Sequence, residues 1–82
     1  MSRNSLYNLS EEEANQLISS LMKHFKCKTV SKLAEQMEVN PAQLRAMKNG
    51  YAPCGATFQF LTLICTGWTY IQMRQVMSRI RN

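Results

Sequence analysis

An 82-residue chain with a hydrophobic fraction of 45% has room for one small core, and it is too apolar to remain disordered. It has no apolar run near the ~20 residues of a membrane span, no apolar stretch of a secretory signal in its first residues MSRNSLYNLSEEE, and no CxxC pair among Cys27, Cys54 and Cys65. These features point away from a membrane or disulfide-framed protein and towards a soluble, single-domain cytoplasmic protein with reduced thiols. The net charge of +5 is unevenly spread: residues 1–38 hold five basic and five acidic side chains, whereas residues 39–82 hold five basic ones and no acid. An acid-free half suits a polyanionic partner.

In chain order, residues 1–9 read as a loose arm. Ser10 with Glu13 three residues on forms a capping box, and Glu11 to Glu13 favour the positive end of a helix. Ala14, Leu17, Ile18, Leu21, Met22 and Phe25 then recur at helical spacing and predict an amphipathic helix over residues 10–26. Lys23, Lys26 and Lys28 suit the negative end of that helix and can also approach a phosphate backbone, while His24 reads as a solvated turn residue. Thr29 caps a second helix that carries Val30, Leu33, Ala34 and Met37 on one face. Asn40 caps a third, with Pro41 at its first position and Gln43 in capping-box position. That helix turns Leu44 and Met47 inward and stops at Asn49-Gly50.

Tyr51-Ala52-Pro53-Cys54-Gly55 reads as a loop, with Cys54 exposed on it. Residues 57–66 fit two readings. Phe58, Leu61, Ile64 and Cys65 form a helical face, and Phe58, Phe60, Thr62 and Ile64 an alternating strand face. Gly67 is a stop, and Thr69 with Gln72 is another capping box that opens a last helix. On it Tyr70, Met73, Met77 and Ile80 form a stripe bordered by Arg74, Arg79 and Arg81, with Ile71 and Val76 widening it.

The residues of a catalytic centre cannot be assembled. There is no aspartate, the glutamates show no dyad spacing, and the one histidine has no metal-ligand partner. Neither a phosphate-binding glycine loop nor a nucleophile elbow is present. The chain reads as a non-enzyme with no cofactor, no metal and no small-molecule substrate.

The stretch TVSKLAEQMEVNPAQLRAMKNG, residues 29–50, resembles the helix-turn-helix of the phage repressor (Cro/cI-like) family. Ala34 stands where that pattern has a small residue at the helix crossing, Val39 follows the turn, and Leu44 and Met47 anchor the second helix. Glu38 stands where the family usually has glycine, so it must adopt a backbone angle that glycine reaches at lower cost. The resemblance implies an all-α bundle of about five short helices, and it makes residues 57–66 a helix.

The resemblance also implies a function: a transcriptional regulator that binds double-stranded DNA in a bacterial cytoplasm. The second helix of the pair would enter the major groove. Its outward residues are Asn40, Pro41, Ala42, Gln43, Arg45, Ala46, Lys48 and Asn49. Gln43 suits adenine and Arg45 suits guanine, Pro41 and Ala42 can meet a thymine methyl, and Asn49, Lys48 and Lys32 suit phosphates. A homodimer is implied too, because the family usually binds two half-sites. Its interface is expected on the last helix, at Trp68, Tyr70, Met73, Met77 and Ile80, with Ile71 and Val76 turned to the core. The competing reading keeps the scaffold but binds protein, as an antitoxin or an inhibitor of a host regulator does.

Overall fold

The computed structural model of the chain describes residues 9–79. The expectations for residues 1–8, Ile80 and Arg81 lie outside the described residues. Five helices follow one another: α1 (Glu11–His24), α2 (Val30–Met37), α3 (Pro41–Lys48), α4 (Ala56–Thr66) and α5 (Tyr70–Arg79). The fold is an all-α bundle in which α1 packs against α2, α3 and α5, and α2 packs against α3. No helix among the described residues is long and apolar enough to cross a membrane.

Local capping chemistry sets the starts of α1, α2, α3 and α5, whereas α4 starts at Gly55 with no side-chain cap. The Ser10 hydroxyl accepts from Glu13 N–H at 3.1 Å while the Glu13 carboxylate accepts from Ser10 N–H at 3.1 Å. Thr69 and Gln72 make the same reciprocal pair at the start of α5. Thr29 Oγ1 accepts from Lys32 N–H, and Asn40 Oδ1 accepts from both Ala42 and Gln43 N–H. Each bond satisfies a first-turn donor that the helix itself leaves unpaired.

The first three helices end in one pattern, in which a residue with left-handed angles and the residue after it both turn their N–H groups back to the last helical turn. After α2, Glu38 (φ 59, ψ 45) donates to Glu35 O and Val39 to Ala34 O. After α1, Lys26 (φ 58) donates to Lys23 O and Cys27 to Met22 O. After α3, Gly50 (φ 84) donates to Met47 O and Tyr51 to Ala46 O. Glycine thus fills the slot at one of three ends, and side chains bear the left-handed strain at the other two. Glu38→Gly is expected to raise stability by about 0.5–1 kcal/mol, and so to raise the melting temperature by a few degrees. A thermal melt reads the change; a lower melting temperature would mean that the Glu38 side chain contributes more than its backbone strain costs.

The core comprises Leu9, Ala14, Leu17, Ile18, Leu21, Leu33, Ala34, Met37, Leu44, Met47, Cys54, Phe58, Met73 and Met77. Leu9 corrects the reading of residues 1–9 as a loose arm. It is buried, and its N–H donates to Cys54 O at 2.9 Å in an antiparallel bridge. That bridge also overturns the exposed placement of Cys54. The thiol is buried and desolvation pushes its pKa up to about 12, so it stays a neutral, unreactive group.

Residues 57–66 are helical, but α4 is rotated from the expected face. Phe58, Gln59 and Thr62 point inward, Leu61 and Cys65 are half-buried, and Ile64 is exposed. Thr62 can enter the core because its hydroxyl donates to Phe58 O at 2.9 Å, which satisfies it within the helix.

The rotation of α4 changes the task of α5 and corrects the expected interface. With two polar residues inside α4, its apolar contribution falls short, and Met73 and Met77 fill the core against α1. They are buried in their own chain and offer no surface to a second one. Tyr70 and Trp68 also pack half-buried against this core, and the Trp68 ring meets His24 edge-on at 5.1 Å. Ile71, expected inside, is exposed instead, and Val76 is half-buried. An Arg74–Glu13 ion pair of 3.5 Å helps hold α5 on α1.

Candidate nucleic-acid interface

The candidate interface is built on the α2–α3 pair. Leu33, Ala34, Met37, Leu44 and Met47 are buried where the two helices meet, and Val39 in the turn is half-buried. Burying Leu44 and Met47 fixes the rotation of α3. Asn40, Pro41, Ala42, Gln43, Arg45 and Asn49 are left exposed, while Ala46 and Lys48 are half-buried. Ala46 is therefore a weaker candidate for contact than exposed Arg45 beside it. Lys32 is exposed on α2.

The Gln43 side chain makes no hydrogen bond to the described residues, although its backbone N–H is held by Asn40. The capping box expected there is therefore half formed, and the Gln43 amide remains available to a base edge. Arg45 is placed differently. Its Nη2 donates to the Ser31 hydroxyl at 3.1 Å, which holds the guanidinium over the first turn of α2, beside Lys32. An arginine has five N–H donors, so one bond to Ser31 leaves an edge for a second partner. Ser31 was not legible as a site residue: its link to Arg45 spans fourteen positions and exists only because α2 and α3 pack.

The far end of α3 is tied to the bundle. Asn15 Nδ2 on α1 donates to Lys48 O at 3.2 Å, and Gly50 lies so close to Glu11 that a Cβ there would meet the Glu11 side chain at 2.6 Å. The start of α2 is ringed by exposed Lys26, Lys28 and Lys32, with Thr29 among them. Together with Arg45 and Lys48 they give the α2–α3 side a positive potential, tempered by exposed Glu35 and Glu38.

Comparison with protein-family models, curated proteins and solved structures found no match. The site therefore rests on its own geometry. Among the described residues no three His, Cys, Asp or Glu side chains come together as a metal site would require.

Proposed function

We propose that this chain is a sequence-specific, double-stranded DNA-binding transcriptional regulator of the phage repressor (Cro/cI-like) type. It acts in a bacterial cytoplasm, with α2 and α3 as its helix-turn-helix. The observation that carries this reading is the outward side of α3. Its backbone is fixed by buried Leu44 and Met47 and by the Asn40 cap, and it presents Gln43 and Arg45 with no acid on the helix. In the major groove Arg45 would pair with guanine and Gln43 with adenine, Pro41 and Ala42 would line the thymine methyl side, and Lys32, Lys48 and Asn49 would meet phosphates. One such helix spans few base pairs, so two copies on two half-sites are the working unit.

The test is selection of bound duplexes from a random library, followed by affinity measurements across salt. A recovered palindromic site and a steep fall in affinity with salt are expected. The second reading, a protein-binding module such as an antitoxin or an inhibitor of a host regulator, is favoured by the apolar outer side of α4. Absence of duplex binding even at low salt, together with a stable protein complex in pull-down, would decide for it.

A further inference from the structure

A helix leaves its last four carbonyls without partners of its own. In α3, a helix of 8 residues, these belong to Arg45, Ala46, Met47 and Lys48. The chain reversal at Gly50 satisfies three of them. Asn49 N–H donates to Arg45 O at 3.1 Å, Tyr51 N–H to Ala46 O at 2.8 Å and Gly50 N–H to Met47 O at 3.3 Å. The last carbonyl is met from another helix, by the side-chain amide nitrogen of Asn15 on α1, which donates to Lys48 O at 3.2 Å. α1 and α2 end in the same reversal, yet among the described residues no side chain of another helix hydrogen-bonds their last carbonyls, those of His24 and Met37.

Glu11 and Asn15 stand four residues apart and therefore on one side of α1. That side carries the end of α3, with Glu11 against Gly50 and Asn15 against Lys48. So short a helix does not hold its own last turn in water. Its two ends are secured separately: Asn40 caps the start and Ser31 braces Arg45, whereas the side-chain bond at the far end comes from Asn15. Beside that bond stand half-buried Lys48 and exposed Asn49, the two residues of α3 assigned above to phosphates.

We infer that Asn15 is a positioning residue for DNA binding: it fixes the last turn of α3, and through that turn the points from which Lys48 and Asn49 reach the phosphate backbone. The inference rests on the DNA reading. Asn15 acts through α3 and meets neither base nor phosphate itself. Without its donor, Lys48 O loses its partner and the last turn loosens. The start of α3 keeps Gln43 and Arg45 in place, so base choice is retained while the phosphate contacts weaken.

Asn15→Leu tests this, because leucine has nearly the same shape and no N–H to donate. In hydrogen exchange of the free protein, the amides of Asn49, Gly50 and Tyr51 should lose roughly threefold to tenfold more protection than those of Leu17 and Ile18, which report overall stability. On duplexes the variant should bind selected and random sequences alike more weakly, by roughly threefold to tenfold, with a flatter salt dependence and the same base preference. In a Lys48→Ala/Asn49→Ala background the further loss should fall below about twofold, and in an Arg45→Ala background it should keep its full size. A full-sized loss in the first background, an altered base preference, or no excess loss of protection at residues 49–51 would overturn the inference. A wild type that binds no duplex would sink the DNA reading and the inference with it, and that failure is seen before any variant is compared.

Discussion

Ala34→Glu should abolish the folded state. Ala34 has no exposed surface, and it sits where α2 crosses α3. Its carbonyl also accepts the Val39 N–H that closes the turn between them, at 2.9 Å. A carboxylate placed there has no basic partner inside the core. An uncompensated buried charge costs about 3–5 kcal/mol, and forcing four extra heavy atoms into a filled crossing adds about 1–3 kcal/mol. Small domains have roughly 5–15 kcal/mol of total stability, so the substitution consumes most or all of it. Circular dichroism should show a collapsed or absent thermal transition. Ala42→Glu, the same change on the exposed side of α3, should melt like wild type and lose DNA affinity. A cooperative melt for Ala34→Glu near that of wild type would mean that α2 and α3 do not cross at this residue.

Arg45→Ala should weaken binding to the selected duplex by about 1–3 kcal/mol and relax base preference at one position of each half-site. Lys48→Ala should instead weaken binding to all duplexes alike and flatten the salt dependence. The contrast follows from geometry. The Arg45 fork is already oriented by Ser31, so it can select a base at a low entropic cost. Lys48 is a flexible point charge, half-buried at the end of α3. Ser31→Ala should produce a smaller loss at the same base position as Arg45→Ala. The two changes should be non-additive in a double-mutant cycle. Equal losses on every duplex for Arg45→Ala would make this residue a phosphate contact.

The helix starts were legible in the sequence because capping is local. Ser10, Thr29, Asn40 and Thr69 each engage an N–H within three residues, and all four do so in the fold. Glu38 was legible for the same reason: the turn required a left-handed angle, and Glu38 adopts one. Lys26 was not, because lysine carries no signal for the same angle.

α4 and α5 form as helices where the sequence places them, but their rotation differs from the expected one. Periodicity identifies an apolar side, but it does not say whether that side faces its own core. Residues 56–66 are apolar nearly all round, so the choice fell to packing. Phe58, Gln59 and Thr62 went inward, Thr62 with its hydroxyl satisfied within the helix, and Met73 and Met77 fill the core from α5. Gln43 and Arg45 are exposed because the burial of Leu44 and Met47 sets how α3 rotates, whereas Ala46 and Lys48 are half-buried.

Reading of DNA by α3 is tested by backbone amide chemical shifts followed during titration with a selected duplex. The largest changes are expected from Ala42 to Asn49 and around Lys28 to Lys32, with Leu17, Ile18 and Leu21 in the core of α1 unmoved. Changes confined to α4 and α5, or none at all at a saturating duplex concentration, would contradict it.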